Sequence, residues 1–191
     1  MKLPTVSPIS PGSAVFLDRD GTLNLETGYV HDRAGWQWLP GAPQALARLH
    51  GFGYRLVVVS NQSGLARGLY GTADVDALHD YVNEDLAGRG AIIDAFYYCP
   101  HHPDFTGDCS CRKPKPGLLL RATEELGLDC KRSWMIGDKI SDIRAGRAAG
   151  CRSILVRTGY GHRAEADMPA GLPVADDLRA AAELIIGTDF T

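Results

Sequence analysis

Two carboxylates, Asp18 and Asp20, follow a short apolar run near the start of the chain and precede Gly21. A carboxylate at the carboxyl end of a buried strand can bind a hard cation through oxygen, and it can also attack phosphorus as a nucleophile. The second carboxylate is close enough to serve as a general acid and base. The pair therefore indicates a catalytic site, although Asp and Gly are also common in plain turns, which is the simpler interpretation.

Two further segments offer groups that can bind phosphate. Ser60 follows the apolar run 57–59, and its hydroxyl can donate a hydrogen bond to a phosphate oxygen. Arg112 and Lys113 lie on a stiff, proline-containing segment before a predicted helix. There Lys113 can neutralise a phosphoryl group, and Arg112 can bind a phosphate through two donors. Taken alone, each segment is also consistent with an ordinary turn, polar in the first case and basic in the second.

A fourth polar segment begins at Asp138, which follows another apolar run and a glycine. Asp138 can complete a cation site with Asp18 and the backbone carbonyl of Asp20. Asp142 comes one helical turn later and can support that site without binding the cation itself. The alternative role for Asp142 is that of a first-turn residue that interacts favourably with the helix dipole.

Strand-like apolar runs alternate with segments of helical periodicity, which predicts a parallel sheet covered by helices on both faces. We predict one domain over 13–187, a flexible lead-in over 1–12 and a frayed tail after Gly187. The gaps 24–40 and 61–71 are expected to be loops, too short to form a cap domain over the site. Strands are predicted at Ala14–Leu17, Tyr54–Val59, Ala95–Tyr98, Trp134–Ile136, Ser153–Val156 and Pro173–Ala175. Helices are predicted at Gln44–Leu49, Thr72–Ala87 with Thr72 as N-cap, Pro116–Leu126 with Pro116 in the first turn, Asp142–Ala149 and Asp176–Ile186.

The composition excludes several classes of protein. The 191 residues are 45% hydrophobic and 23% charged with a net charge of -3, so the chain lacks the basic surface that nucleic acids and anionic membranes attract. No apolar run approaches the length of a membrane span, and the N-terminal segment has no apolar core of a secretory signal. We therefore expect a cytoplasmic protein that binds neither nucleic acid nor membrane. Because no coiled-coil period is present, we also expect a monomer.

Three of the five cysteines, Cys99, Cys109 and Cys111, lie within thirteen residues of one another. Three thiolates and one imidazole match a tetrahedral zinc site with no open position, which is structural rather than catalytic. His101 is the expected fourth ligand because Cys99-x-His101 mirrors Cys109-x-Cys111, and His102 is the alternative. Zinc is favoured over a disulfide or free thiols because nothing indicates secretion. Bound zinc would order this polar loop and hold the adjacent basic segment beside the site.

The ordered set of Asp pair, Ser, Lys-Pro and Gly-Asp resembles the motifs of the haloacid dehalogenase (HAD) superfamily of phosphatases over most of the chain. The resemblance implies a three-layer, Rossmann-like α/β fold and a Mg²⁺ cofactor. It implies that Asp18 attacks phosphorus to form an aspartyl-phosphate, and that Asp20 protonates the leaving alkoxide and then activates water. The implied Mg²⁺ ligands are Asp18, the carbonyl of Asp20 and Asp138. Ser60 and Lys113 would hold the transferring phosphoryl oxygens.

Six segments resemble one family within that superfamily more closely, the D-glycero-D-manno-heptose 1,7-bisphosphate 7-phosphatases; they are 16–24, 28–31, 61–68, 97–103, 109–114 and 137–139. The resemblance implies a small-molecule sugar bisphosphate as substrate and removal of its 7-phosphate, a step toward nucleotide-activated heptose for bacterial surface glycans such as lipopolysaccharide core. It implies that Arg112 helps to recognise the second phosphate. The other implied substrate contacts are Glu26, Thr27, Gly28, Tyr29, Ser60, Asn61, Gln62, Ser63, Lys113 and Lys139.

Other functions remain open at this point. Histidinol-phosphate phosphatases resemble the chain down to the cysteine-rich loop, although the segments 28–31 and 62–68 favour the heptose enzymes. A phosphatase acting on DNA ends is disfavoured by the acidic charge balance. A zinc-stabilised module that binds phosphosugars without turnover is disfavoured because the expected catalytic groups are all present. The anomer preferred at carbon 1 of the sugar is left open.

Overall fold

The structure, a computed structural model, describes residues 12–189 and is built around a six-stranded parallel sheet. The strands lie side by side in the order β3-β2-β1-β4-β5-β6. They are β1 (Ala14–Leu17), β2 (Arg55–Asn61), β3 (Ala95–Cys99), β4 (Trp134–Gly137), β5 (Arg152–Val156) and β6 (Val174–Ala175). The predicted α/β fold with a parallel sheet is confirmed, and every predicted strand lies within two residues of the observed bounds.

Helices cover both faces of this sheet. In the described residues they are α1 (Ala42–Gly51), α2 (Ser63–Ala66), α3 (Thr72–Ala87), α4 (Pro103–Thr106), α5 (Gly117–Leu126), α6 (Ile140–Ala149), α7 (Gly161–Ala164) and α8 (Leu178–Asp189). Because side chains alternate along a strand, β1 contributes to two apolar cores. Val15 and Leu17 pack with α1, α3 and α8, whereas Ala14 and Phe16 pack on the opposite face with α5 and α6.

Three local details of the helices differ from the prediction. The segment 61–71, expected to be a loop, contains the single turn of α2, which is too short to show a helical period in sequence. Thr72 is the first helical residue rather than the N-cap; Gly71 occupies that position, and its N–H donates to the Asp74 carboxylate at 2.8 Å. Pro116 is the N-cap of α5 rather than a first-turn residue.

The predicted end of the last helix at Gly187 is wrong, whereas the fraying predicted for the tail stays a prediction. Helix α8 continues to Asp189, whose carboxylate accepts two hydrogen bonds from Arg152 at 2.5 and 2.9 Å. The Tyr54 hydroxyl and, at 3.4 Å, the Trp134 indole N–H donate to the same carboxylate. These contacts fasten the end of α8 to the amino ends of β2, β4 and β5.

The predicted lead-in over 1–12 lies outside the described residues except for Gly12. The carbonyl of Gly12 accepts a hydrogen bond from the Asp129 N–H at 2.9 Å. Across residues 12–189, we find no helix whose length and apolar character would allow it to cross a membrane.

The chain connections run to opposite sides of β1. From β1 the chain continues to β2 and β3 on one side, and it then crosses to β4, β5 and β6 on the other, so the strand order reverses direction at β1. Parallel α/β sheets bind their ligands at such a reversal, beyond the carboxyl ends of the strands. Asp18 follows β1, Ser60 lies near the end of β2, and Asp138 follows β4. The fold therefore gathers at one place the polar residues that the sequence places after separate apolar runs.

Candidate active site

Asp18 and Lys113 form a buried ion pair at the centre of this edge of the sheet. The Lys113 ammonium group lies 2.7 Å from Oδ1 of Asp18 and 2.8 Å from Oδ1 of Asp142. It also donates to the carbonyl of Val59 at 2.7 Å. Three oxygens, from the ends of β1 and β2 and from α6, therefore fix the position of the lysine.

The electrostatics of this cluster favour an ionised Asp18. Burial opposes its charge, but Lys113 and then Lys139 more than offset this, so the pKa of the Asp18 carboxyl lies below its ordinary value. Burial, followed by the charge of Asp18, raises the pKa of Asp142 to about 6. The other oxygen of Asp142 accepts from the Lys139 N–H at 3.0 Å at the start of α6, which is the helix-terminal role considered for it from the sequence.

Asp138 adds a third carboxylate, and the cluster fits a hard cation. One oxygen each of Asp18, Asp138 and Asp142 lie within 4.8 Å of one another. Oδ2 of Asp138 accepts from the Tyr160 N–H at 2.8 Å, whereas its Oδ1 is buried with no hydrogen-bond partner in the described structure. Burial and the Asp18 charge raise the pKa of Asp138 to about 7. Oδ1 of Asp138 lies 3.7 Å from the Lys139 ammonium, and a buried carboxylate oxygen that accepts no hydrogen bond, among other carboxylates, is the kind of ligand that Mg²⁺ prefers.

Gly21 is required for this packing. Its φ of +88° is one that L-residues rarely adopt, and a Cβ at this position would lie 2.2 Å from Oδ2 of Asp138. The glycine after the carboxylate pair therefore lets β1 turn away while the backbone stays close to Asp138.

Asp20 is held by three side chains. Arg19, which is completely buried, donates to Oδ1 of Asp20 at 3.0 Å and to Oδ2 at 2.9 Å, and it also donates to the carbonyl of Val30. The side-chain amide of Asn24 donates to Oδ1 of Asp20 at 3.0 Å. The amide of Gln62 donates to Oδ2 at 3.3 Å. The side chain predicted to transfer protons is thus part-buried, with donors on both of its oxygens.

Ser60 and Asn61 occupy the end of β2 beside Lys113. The Ser60 hydroxyl is buried and accepts from the Gln62 amide at 3.2 Å. Asn61 exchanges two hydrogen bonds of 3.1 Å with the backbone of Lys113, donating to its carbonyl and accepting from its N–H. Asn61, expected to contact substrate, therefore fixes the backbone on which the lysine sits. Ser63 opens α2 and is partly exposed.

The remaining expected substrate contacts lie at the mouth of the site. The Lys139 ammonium is partly exposed, 4.0 Å from the Asp18 carboxylate and 3.6 Å from that of Glu26. Glu26 also accepts from the Gly28 N–H at 3.0 Å. Thr27, Gly28 and Tyr29 are exposed, and Tyr29 has a positive φ of 52°. Lys139 therefore links the segment 26–29 to the carboxylate cluster.

The three clustered cysteines converge as expected for a metal site. Their sulfur atoms are 3.6 Å apart between Cys99 and Cys109, 3.0 Å between Cys99 and Cys111, and 3.4 Å between Cys109 and Cys111. Burial and the hydrogen bond with Cys111 raise the pKa of the Cys99 thiol above its ordinary value. Zinc binds thiolates, so a zinc ion would have to displace this proton. The donor set fits Zn²⁺, and the zinc itself remains a prediction.

The expected fourth zinc ligand, His101, lies on the same loop as Arg112. Within the described residues, the cluster of possible metal ligands holds the three cysteines and neither histidine. The ring of His102 accepts from the Asp104 N–H at 3.3 Å and so caps α4. The carbonyl of His101 accepts from Arg112 at 2.9 Å. We retain His101 as the expected ligand, and Arg112 is fastened to the backbone of this loop.

Some residues of the site are not among those predicted from the sequence. Thr158 donates to the carbonyl of Gly21 at 2.7 Å, and Tyr160 binds Asp138 as described above. Both follow β5, so the strand-end argument applied to β1, β2 and β4 would have found them had it been extended to β5. Arg19 and Tyr70 carry no such signal, because their contacts arise only once the loops around Asp20 are folded.

Comparison with known proteins identifies the family. The HAD-hydrolase-like family model matches residues 110–181. The D-glycero-beta-D-manno-heptose-1,7-bisphosphate 7-phosphatase of Pasteurella multocida (strain Pm70) is 48% identical over 151 residues, which cover 76% of this chain and 82% of the relative. The enzyme of the same name from Escherichia coli (strain K12) is 44% identical over 163 residues, 82% of this chain and 85% of the relative.

A solved structure agrees with these sequence comparisons. The D,D-heptose 1,7-bisphosphate phosphatase from B. bronchiseptica, complexed with magnesium and phosphate, superposes with a TM-score of 0.86 at 39% identity. The match covers 92% of this chain and 99% of that one. The chain belongs to the D-glycero-beta-D-manno-heptose-1,7-bisphosphate 7-phosphatase family within the HAD-like hydrolases.

Proposed function

We propose that this protein is a Mg²⁺-dependent phosphatase that removes the 7-phosphate of D-glycero-β-D-manno-heptose 1,7-bisphosphate through an aspartyl-phosphate. The observation that carries the proposal is the Asp18–Lys113 pair, 2.7 Å apart and buried at the strand reversal beside Asp138. It supplies an ionised nucleophile and a fixed cation where a phosphoryl group can enter. The named relatives support the substrate and its β configuration.

The geometry supports a role for each residue in two displacement steps. A carboxylate oxygen of Asp18 attacks phosphorus, and the bond from phosphorus to the sugar oxygen breaks while Asp20 delivers a proton to that oxygen. Asp20 then accepts a proton from water, whose oxygen attacks phosphorus, so that inorganic phosphate leaves and Asp18 is regenerated. Lys113 and the Ser60 hydroxyl bind the phosphoryl oxygens throughout.

Two metal ions and the remaining substrate contacts also form part of the proposed function. Asp18, Asp138 and the carbonyl of Asp20 would hold Mg²⁺, which when bound neutralises charge on the phosphoryl oxygens. Cys99, Cys109, Cys111 and His101 would hold Zn²⁺, whose role is to order the loop that carries Arg112. We propose that Arg112 binds the 1-phosphate, which is the second phosphate of the substrate, while Lys139 and the segment 26–29 contact the sugar. Ser63, at the start of α2, lies on the same rim and is a further proposed contact.

The pathway that we propose rests on the similarity to the heptose 1,7-bisphosphate 7-phosphatases. The product retains its 1-phosphate, and we propose that it feeds the synthesis of nucleotide-activated heptose for bacterial surface glycans such as lipopolysaccharide core. We also propose that the domain over 13–187 works as a monomer in the cytoplasm. Size-exclusion chromatography with light scattering measures the assembly directly.

The test is Mg²⁺-dependent phosphate release from the two anomers of heptose 1,7-bisphosphate and from histidinol phosphate, measured side by side. We expect kcat/KM for the β-bisphosphate to exceed that for the α anomer and for histidinol phosphate by at least about tenfold, a difference of about 1.4 kcal/mol. Asp18→Asn, which removes the nucleophile and keeps the side-chain shape, is the blank and should release no phosphate. Preference for histidinol phosphate would move the protein to the neighbouring family, and no turnover with zinc bound would favour the non-catalytic module.

A further inference from the structure

Gln62 is placed to act on Asp20 rather than on substrate. Its side chain is 2% exposed, and its Nε2 donates to Oδ2 of Asp20 at 3.3 Å and to the Ser60 hydroxyl at 3.2 Å. Its Oε1 accepts from the Tyr70 hydroxyl at 2.9 Å. A side-chain amide has two N–H donors, and both are therefore used inside the protein.

Tyr70 is itself fixed by the loop that carries His31 and by helix α2. Its ring stacks on His31 with centroids 4.6 Å apart and an interplanar angle of 6°. On another side it packs so closely on Gly64 that a Cβ there would lie 2.2 Å from the ring. Burial is the main reason that the pKa of Tyr70 lies above its ordinary value, so the hydroxyl keeps the proton that it donates to Gln62. The position of this hydroxyl thus depends on both segments expected to surround the substrate.

The hydroxyl of Tyr70 helps to hold the Gln62 amide in its observed orientation. An amide can rotate by 180° and exchange its oxygen and nitrogen in nearly the same volume. In the observed orientation the N–H groups meet Asp20 and Ser60, whereas the reversed amide would present Oε1 to the Asp20 carboxylate, which is a repulsive contact. The Tyr70 hydroxyl donates its proton to Oε1 and so holds the observed orientation from the opposite end of the amide.

We infer that Tyr70 is a positioning residue, which acts through Gln62 to hold Asp20 in place for proton transfer. This rests on the proposed function, in which Asp20 first gives and then takes a proton and must stay within hydrogen-bond reach of both the sugar oxygen and the attacking water. Arg19 and Asn24 hold Asp20 from the β1 turn, and the Gln62–Tyr70 pair holds it from the β2 side. The pair also connects Asp20 to His31 and to α2, which lie in the two segments that carry expected substrate contacts.

The first measurement is kcat and KM of Tyr70→Phe, which removes one oxygen and keeps the ring stacked on His31. We expect kcat to fall about tenfold, the size of a lost hydrogen bond to a polar network, with KM within about twofold of wild type. Tyr97→Phe is the matched control, because Tyr97 is equally buried and its hydroxyl donates to Glu125 on α5 at 2.8 Å, away from the site. It should keep the wild-type kcat.

The second measurement separates action through Gln62 from a general effect on packing. Gln62→Met keeps the length of the side chain and removes all of its side-chain hydrogen bonds. Adding Tyr70→Phe to it should cause no further loss of kcat, since Tyr70 would have no amide left to orient. Losses that multiply in the double variant, or an unchanged kcat in Tyr70→Phe, would overturn the inference. Should Gln62→Met fail to fold, Gln62→Glu replaces it, because a carboxylate keeps an acceptor for Tyr70 but has no N–H donor for Asp20. Tyr70→Phe should add little in that background too, since the connection from Tyr70 to Asp20 is already broken.

The same variants are assayed with p-nitrophenyl phosphate. If wild type hydrolyses that ester but not the heptose bisphosphate, the proposed substrate is wrong, while the role of Tyr70 is still measured in the second step, in which Asp20 takes a proton from water whatever the leaving group. If wild type hydrolyses both and Tyr70→Phe matches it on both, the substrate stands and the role of Tyr70 is wrong.

Discussion

The Lys113 ammonium lies 2.7 Å from Oδ1 of Asp18, and the two residues, 95 positions apart in sequence, are buried together. The contact joins the turn after β1 to the segment that precedes α5. Together with the charge of Lys139 it more than offsets the burial that opposes the charge of Asp18, and Lys113 also lies 2.8 Å from Asp142, whose pKa burial and the Asp18 charge still raise. One cation therefore supports both the charge of the expected nucleophile and the start of α6.

Lys113→Met should nearly abolish activity and also destabilise the fold. The variant removes the charge that lowers the pKa of Asp18 and deprives two buried carboxylates of the ammonium group that pairs with both. We expect kcat to fall at least about 10³-fold and the free energy of unfolding to fall by about 3 kcal/mol at pH 7. Steady-state kinetics and urea unfolding measure the two effects.

Lys115→Met is the control for this change. Lys115 is exposed and pairs with Asp108 at 2.5 Å on the surface, so its removal should change kcat less than about twofold and stability by less than about 0.5 kcal/mol. Wild-type activity in Lys113→Met would contradict the assignment of this lysine to the phosphoryl group.

Cys109→Ser should remove zinc and disorder the loop that carries Arg112. The three sulfur atoms lie 3.0 to 3.6 Å apart, and losing one thiolate leaves too few ligands to retain the ion. Zinc binding contributes about 10–16 kcal/mol to folding in small domains, so the loop should lose most of its order. We expect less than about 0.1 zinc per chain by mass spectrometry and a fall in kcat/KM of about tenfold or more.

Cys151→Ser is the matched control, since Cys151 is a buried cysteine outside the cluster. It should retain zinc. Wild-type protein purified with no zinc, in a preparation that hydrolyses the bisphosphate, would refute the zinc site itself.

Arg112→Ala should lower kcat/KM more for a substrate with two phosphates than for a substrate with one. Arg112 is fastened by its bond to the His101 carbonyl and is proposed to bind the 1-phosphate. A charged pair of this kind is worth about 1.5–3 kcal/mol, so kcat/KM for the bisphosphate should fall about 10- to 100-fold. Hydrolysis of heptose 7-phosphate should fall less than about threefold, because that substrate has no second phosphate. Equal losses on the two substrates, with zinc retained, would remove the recognition role.

The sequence predicts the location of the site better than its internal contacts. Asp18, Ser60 and Asp138 each follow an apolar run, and parallel strands place such positions at one edge of the sheet whatever their separation in the chain. The same reasoning gives the core, because β-strand alternation and helical periodicity are local properties of the sequence. The bounds of β1 are therefore predicted to the residue, and α3 spans the predicted 72–87, although Gly71 rather than Thr72 is its N-cap.

The parts that could not be predicted depend on side-chain orientation after folding. Gln62 is expected from the resemblance to contact substrate, but its amide is used by Asp20, Ser60 and Tyr70. Nothing in the spacing of these residues reveals that a tyrosine eight positions along the chain will reach back to it. The ion cluster around Asp189 is another example, since a carboxylate near the end of the chain gives no sign of its partners at the starts of three strands.

His79 should make the stability of the protein depend on pH. The side chain is 5% exposed, its ring stacks on Phe96 at 4.2 Å, and its Nε2 is buried without a hydrogen-bond partner in the described structure. Burial, and then the charge of Arg19, lower the pKa of His79 to about 3 from its ordinary 6.5. Between these two values the unfolded chain binds a proton that the folded chain does not, so the free energy of unfolding falls as pH falls through this window.

This contribution should be absent above about pH 7 and reach about 2 kcal/mol of lost stability at pH 5. His79→Phe keeps a stacked ring that cannot bind a proton, so its unfolding free energy should fall less than that of wild type by this amount between pH 7 and pH 5. His162→Phe, at an exposed position, serves as the control and should follow the wild-type curve. Urea unfolding at half-unit intervals of pH gives the three curves, and parallel curves for wild type and His79→Phe would show that His79 takes up its proton in the folded protein as readily as in the unfolded chain.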